Sequence, residues 1–324
     1  WYVNSKNTGF DFKVNQNYLS FFNRENNYWI IANDSMQEID TIRCNNNITT
    51  DYHDIKILDN GNYIVFGYDT RLINMSLIVE GGDPYALVDG LYLQEFDMDQ
   101  NLVFEWTSWD HINITDNLLI DLTAPLIDFI HANAIAIDHD NNILLSFRSL
   151  NEIIKIDRTT GNIMWRLGGS KNEFNFISDP LNGFNMQHNI QVLENGNITI
   201  FDNGLLHETP TTRVVEYQLN EIDKTALLVW DYEHPNQYKS IAMGSAQRLP
   251  NGNTLINWGL IVNGQPATIT EVTPDKNIVL EIHYPIGNNC YKVTKKDWDF
   301  SINKIVGDLN LDDTINILDC VSLV

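Results

Sequence analysis

The sequence predicts an all-β fold: a single β-propeller of six blades, each a four-stranded antiparallel sheet, followed by a short calcium-loop tail. Three observations predict it. A run of alternating apolar residues closed by x-Asn-Gly-Asn recurs as His53–Asn62, His188–Asn197 and Gly244–Asn253, with a looser copy from Asn133 to Asn142. A second phrase follows each first one, a strand ending in an acid, then a turn, then a strand carrying an aromatic. The paired phrases return at a spacing of roughly 40 to 55 residues, the period of a propeller blade.

In chain order, Tyr28–Ile31 before Met36–Ile39 is the second half of an N-terminal unit. The next unit pairs the hairpin at His53–Asn62 with Gln94–Asp97 and Val103–Trp106. The following one pairs Asn133–Asn142 with Ile153–Asp157 and Ile163–Trp165. His188–Asn197 leads to Val214–Tyr217 and Leu228–Trp230, and Gly244–Asn253 leads to Thr270–Thr273 and Ile278–Glu281. Asn-Gly between alternating apolar runs predicts type I′ hairpins, which need the positive φ these residues tolerate. A sixth blade is expected where residues near the N-terminus pair with Asn289–Asp297, because ring closure protects edge strands. Residues 1–300 are thus one propeller domain and 301–324 a tail.

Composition agrees with a folded β array: 324 residues, 43% apolar, with 8 Trp and 13 Tyr to pack sheets face to face. The formal charge of −23 argues against nucleic acid or an anionic membrane as partner through the general field, so an anionic substrate needs a local positive cluster. No run of 18 or more apolar residues is present, which predicts no membrane span. Trp1 in place of Met suggests a removed leader and a secreted, extracellular, periplasmic or cell-surface protein. Cys44, Cys290 and Cys320 leave two readings open, a Cys44–Cys290 disulfide where the ring closes or three free thiols. Asn33, Asn47, Asn74, Asn113 and Asn197 stand in glycosylation sequons, a weak signal in an Asn-rich chain.

Innermost strands of a propeller line its channel, so one position per blade converges there. Aligning the hairpins on their turns puts His53, Asn133, His188 and Gly244 in one column, and the strand period of two sends His131 to the face of Asn133. Arg148 and Arg213 open the other phrase of their units. Arginine forks clamp oxyanions and imidazoles donate or move protons, so these residues can together surround an anion. His111, His139, His207, His234 and His283 fall in turns or outer strands and read as structural.

The stretch Asp128–Ile135, then Ser146-Phe-Arg148-Ser, Gly161–Gly169, Gln187-His188-Asn189, Phe201-Asp-Asn-Gly204, Arg213 and Gly244–Asn253 with Trp258-Gly259, resembles the arylsulfotransferase family across roughly residues 50 to 285. The resemblance implies a six-bladed propeller that moves a sulfuryl group from a phenolic sulfate ester to another phenol without a nucleotide donor. A channel histidine is its nucleophile. His131, His188 and Arg213 match the residues that hold the sulfate, and Arg148, Asn133 and Trp258 are candidate substrate-binding residues. The family's nucleophilic histidine has no counterpart in Tyr238–Gln247, where only Lys239 and Ser240 stand nearby. His53, from another blade, is the candidate replacement. The partners implied are aryl sulfates and phenols.

The tail follows another pattern. Asp308, Asn310, Asp312, Thr314 and Asp319 occupy positions 1, 3, 5, 7 and 12 of an EF-hand-type calcium loop, with Asp313 in place of the usual glycine. It resembles half a dockerin, which implies calcium as cofactor and a protein partner or self-assembly. Two function classes remain open on sequence: an arylsulfotransferase-like enzyme, or a catalytically silent propeller serving as a binding or structural module. Hydrolysis at a channel-bound metal is the weaker third, because no compact His and carboxylate cluster stands out.

Overall fold

A computed structural model describes residues 10–15, 18–35, 37–262 and 264–296. Five sheets follow one another along the chain, each wound outward by antiparallel hairpins. Blade 1 holds β1 (Phe10–Asn15), β2 (Tyr18–Asn23), β3 (Tyr28–Ala32) and β4 (Glu38–Ile42). Blade 2 holds β5 (Thr49–Ile57), β6 (Tyr63–Ile73), β7 (Ala86–Phe96) and β8 (Leu102–Thr107), with β9 (Leu126–Asp128) added parallel to β7. Blade 3 holds β10 (Ala132–Ile137), β11 (Ile143–Phe147), β12 (Glu152–Ile156) and β13 (Ile163–Gly168). In blade 4, β14 (Asn175–Ile177) lies parallel to the outer strand, and the sheet proper is β15 (His188–Val192), β16 (Ile198–Asp202), β17 (Arg213–Asn220) and β18 (Thr225–Glu233). Blade 5 holds β19 (Ser245–Arg248), β20 (Thr254–Asn257), β21 (Thr268–Val272) and β22 (Ile278–His283).

The propeller therefore has five blades among the described residues, where six were expected. Among the described residues the stretch meant to close a sixth forms no hairpin. Pro285, Gly287 and Asn288 turn the chain, and the short remainder runs along β19 through mixed contacts instead of a ladder. Gly244 N donates to Tyr291 O (3.2 Å), Val293 N to Ser245 Oγ (3.1 Å), and Lys295 N to Gln247 Oε1 (2.7 Å). Cys44 and Cys290 are both free, so no disulfide joins them, and Asn197 is buried with its amide on Glu216, a poor acceptor for a glycan. Cys320 and the calcium-loop residues Asp308, Asn310, Asp312, Thr314 and Asp319 lie outside the described residues. Among the described residues no helix is long and apolar enough to cross a membrane.

The inner hairpins differ from expectation in turn type. In Leu58–Asn62, Gly61 N donates to Leu58 O (2.9 Å) and Leu58 N to Asn62 O (2.7 Å), with only Gly61 at positive φ (85°). That is a turn followed by one left-handed residue, not a type I′ pair, and the same bonds recur at Leu193–Asn197 and Leu249–Asn253. The first Asn accepts at Oδ1 from the N–H of the second (3.0 Å in each), which favours this Asx geometry over the mirror-image turn.

Alternation along each strand sends its two faces to two neighbouring blades. Leu145 and Ile154 of blade 3 join Ile64, Phe66 and Trp106 of blade 2, while Leu144, Ile153 and Trp165 join Ile198, Val215 and Tyr217 of blade 4. Equivalent layers place Trp29 against blade 2 and Trp258 against blade 4.

Outside these apolar layers a polar clamp repeats. The last Asn of each Asn-Gly-Asn turn donates to a buried carboxylate on the third strand of its blade: Asn62 to Glu95 (2.6 Å), Asn197 to Glu216 (2.6 Å), Asn253 to Glu271 (2.8 Å). The other oxygen takes a cation from the next stretch of chain: Arg158 Nε at 2.7 Å, Arg248 Nη2 at 2.6 Å, Lys295 Nζ at 3.1 Å. Blade 3 inverts the polarity. Buried Lys155 stands at the equivalent position and binds Asp138 and Asp140 of its own turn (2.7 Å each) and Glu221 of blade 4 (2.6 Å).

Removing the carboxylate strands both partners. Glu95→Ala should destabilise the protein by about 3 kcal/mol, since breaking one side of a buried pair leaves an uncompensated charge. Lys276→Ala, at the exposed pair with Asp231, should cost less than about 1 kcal/mol. Urea midpoints at unchanged m-value measure both.

Candidate active site

The inner strands lose their regular register where the expected column falls. Pairing slips between Thr50 and Ile55 in β5, between Ala132 and Ala134 in β10, and between His188 and Gln191 in β15. Such bulges re-aim side chains. Three of the named histidines meet there. The rings of His53 and His131 lie edge to face, centroids 5.1 Å apart, and His188 lies close enough to feel both rings and Arg148.

His53 and His131 are held alike. Asp51 Oδ1 accepts from the backbone N–H of His53 (2.7 Å) and binds its Nδ1 (2.6 Å). Asp128 accepts from the backbone N–H of His131 (3.0 Å) and binds its Nδ1 (2.6 Å). A carboxylate on Nδ1 fixes the proton there and leaves the Nε2 lone pair outward. Neither Nε2 has a hydrogen-bond partner among the described residues. Against the cost of burial, the His131 hydrogen bond and the nearby His131 and His53 charges hold Asp128 below the usual carboxylate range. His53 is buried, whereas the His131 side chain is 30% exposed and its backbone has φ of 42°. That left-handed step breaks the strand period, so His131 and Asn133 do not share a face. Asn133 instead turns to Gln187 O (2.6 Å), with its Oδ1 buried and unpartnered.

Arg148 approaches the same volume. Its Nη2 donates to Ile241 O (3.2 Å), its Nε is buried without a partner, and burial pulls the guanidinium below its ordinary value against the attraction of Asp128. Tyr52 stacks on His53, Tyr291 meets it edge-on, and Tyr68 Oη accepts from Ala132 N (2.8 Å). Burial, reinforced by the nearby aspartates, pushes the phenols of Tyr68 and Tyr291 well above 10, so both stay neutral as an aromatic wall.

The remaining candidates serve the scaffold in this arrangement. Asn203 donates to Ser240 O and Met243 O (3.1 Å each), which turns its Oδ1 to His188 Nδ1 (2.7 Å) and makes that nitrogen the donor. Nε2 of His188 then accepts from Met243 N (3.2 Å). Both nitrogens are engaged, and burial pushes His188 down to about 3. The backbone of Met243, at φ of 64°, thus occupies the blade where the nucleophilic histidine was sought. A Cβ on neighbouring Gly244, itself at φ of 106°, would fall into the Phe201 ring. Ser240 Oγ donates to Ala242 O (3.0 Å).

Arg213 is not brought into the cluster. Its guanidinium forks onto Asp179 (2.9 and 3.0 Å), and Nε reaches Asp202 (3.1 Å) while Nη2 also reaches Gly183 O (2.8 Å). Trp258 is fully buried, with Nε1 on Thr270 Oγ1 (3.0 Å), and is core rather than wall. Sequence reasoning passed over Asp51, Asp128 and the three tyrosines. The legible signal was an acid two or three residues ahead of each working histidine, in Asp51-Tyr-His53 and Asp128-Phe-Ile-His131.

These features define a β-propeller with an ionisable histidine and arginine site in its channel. The sequence pattern of the family described as Arylsulfotransferase (ASST) matches residues 15–285, and the chain belongs to that family. Curated proteins yield no match. Among solved structures, a protein of unknown function from Bacteroides caccae is 12% identical, with a TM-score of 0.51 over 83% of this chain and 78% of that one. The β-propeller domain of Cps50 (Swd1) from Myceliophteria thermophila is 9% identical, with a TM-score of 0.49 over 88% of each chain. The first likeness supports the fold alone.

Arg213→Ala would leave Asp179 and Asp202 buried without their cation and should cost about 4 kcal/mol, whereas Arg148→Ala should change stability by less than about 1 kcal/mol. Chemical denaturation distinguishes them. His188 is held neutral when folded but protonates near 6.5 when unfolded. Its contribution is therefore complete above pH 6.5 and is lost as pH falls toward about 3. Denaturation midpoints between pH 7 and 4 should fall for the parent protein and fall less for His188→Gln.

Proposed function

We propose that the channel cluster transfers a sulfuryl group between phenols without a nucleotide donor, with His131 as nucleophile. The carrying observation is the pair of aspartate-held histidines, ring against ring, with both Nε2 atoms uncommitted. Exposure favours His131 for the attack, and its neighbour His53 is placed for proton transfer.

In the first displacement the Nε2 lone pair of His131 attacks sulfur and the bond from sulfur to the aryl oxygen breaks. The departing phenoxide takes a proton from protonated His53. Asp128 steadies the positive charge that builds on the sulfated ring, and the guanidinium of Arg148 binds the non-bridging oxygens. In the second displacement an acceptor phenol gives its proton to His53 and attacks sulfur, and the bond to His131 breaks. Tyr52, Tyr68 and Tyr291 supply a wall for aryl rings.

A second reading has its own observation. His188 and Arg213, which family likeness assigns to the sulfate, have their donors committed to the scaffold. On that reading the same pocket binds aryl sulfates without turning them over, in a secreted structural module whose calcium-loop tail docks a partner or another copy.

The test is release of 4-nitrophenol from 4-nitrophenyl sulfate with phenol as acceptor. Under the first reading release depends on phenol, falls at least about 10³-fold in His131→Ala, falls about 10²-fold in Arg148→Ala, and leaves one added SO3 on His131 when phenol is withheld. Binding of the ester by folded protein, with no release and no adduct, establishes the second reading instead.

A further inference from the structure

At the other end of the same channel the ends of the inner strands enclose a cavity of about 720 Å³. Five of the chain's 20 Lys and Arg residues line it, Lys13, Lys56, Arg158, Lys292 and Lys296, with Asp59 as the acid among the lining residues. In a chain of net charge −23 this concentration is opposite in sign to its surroundings.

Two of these cations are spoken for. Arg158 is forked onto Glu95, and Lys13 binds Asp11 (2.8 Å) and Asp54. Asp54 has little left to give. It also accepts the backbone N–H groups of Ile135 (2.7 Å) and Ile55 (3.0 Å), and Lys292 stands off at 3.7 Å. The ammonium of Lys56 forms no hydrogen bond or ion pair among the described residues, although the residue is half-buried. Burial, and then the ammonium groups of Lys292 and Lys13, push Lys56 down to about 8 against the attraction of Asp54. An unpaired, partly desolvated cation held beside others of its sign is destabilised until an anion arrives.

We infer that this cavity is a second anion site, which binds a small multivalent oxyanion, carrying two or more phospho or sulfo groups, between Lys56, Lys292 and Lys296. The size suits a small organic molecule, since ligand pockets run from about 300 to 1,000 Å³. Lysines supply point charges on flexible stems, which suit clustered oxyanions more than one planar carboxylate. Val14, Ile57 and Leu58 in the lining offer apolar surface for a carbon skeleton. The site is separate from the histidine cluster. Lys56 stands three residue steps along β5 from His53, a rise of about 10 Å, and the Lys13 and Asp54 pair lies between them.

Isothermal calorimetry on the full chain tests this with inorganic pyrophosphate and, in a parallel arm, fructose 1,6-bisphosphate. One site is expected, with Kd raised at least tenfold in Lys56→Gln and in Lys296→Gln, and unchanged in Lys276→Gln, an exposed lysine elsewhere. Tighter binding of the bisphosphate identifies an organic ligand, and equal binding identifies the inorganic group as the feature recognised. Lys296 lies exposed at the rim, so its variant reports even if Lys56→Gln fails to fold. Retained binding in His131→Ala separates this site from sulfuryl transfer. Absence of binding, or equal affinity in the Lys296→Gln and parent proteins, overturns the inference.

Discussion

A buried carboxylate on the third strand of a blade, shared between that blade's own hairpin turn and a cation from the next stretch of chain, is the constraint from which the other features follow. Apolar layers alone tolerate sliding, because dispersion and burial have no direction. A carboxylate that must satisfy an Asn amide on one oxygen and a guanidinium or ammonium on the other has one position. Glu95, Glu216 and Glu271 thereby set each hairpin's register and the angle to its neighbour together. With blades fixed, inner strands are fixed, and the bulges in β5, β10 and β15 bring histidines from separate blades to one point.

Electrostatic roles in the channel divide by what each group is bonded to. Asp51 and Asp128 spend themselves on Nδ1 atoms, which leaves nitrogen lone pairs available. His188, in the same cluster, spends both nitrogens and becomes part of the wall. Arg148 keeps a donor unpaired and Arg213 keeps none free of the scaffold. Residue type therefore decides little here, and the bond inventory decides most. The general field of a −23 chain repels anions, so any that enter must be drawn by local cations at short range.

Much of the fold was legible because hairpins are local. Every blade half read from the paired phrases is a pair of strands, from Tyr28–Ile31 to Ile278–Glu281. The number of blades was not, since closure depends on contacts between chain ends, and Asn289–Lys296 carries enough apolar residues to resemble a strand while being bonded as a strap. In the site, His53 was found by column alignment and His131 by the strand period from Asn133, yet the left-handed φ at His131 undid the reasoning that joined it to Asn133. Gln187, Asn189 and Asn203 belong to the most recognisable phrases, and they fasten blades: Gln187 to Phe147 O and Glu152 O, Asn189 to Ala246 N, Asn203 to Ser240 O. A motif used for fastening beside a site looks, in sequence, like the site itself.

The inverted clamp at Lys155 has a bearing on assembly. A chain of near-equivalent hairpins faces a sorting problem while folding, because an apolar face made for one neighbour also fits others. At three junctions the trapped group is an anion that seeks a cation; between blades 3 and 4 it is a cation that seeks Glu221. A blade docked one place out of turn would set Lys155 against Arg or Lys, or a glutamate against Glu221, and be rejected by like charge. One reversed junction beside three of the opposite sign works as a keyed connector that tells the blades their order.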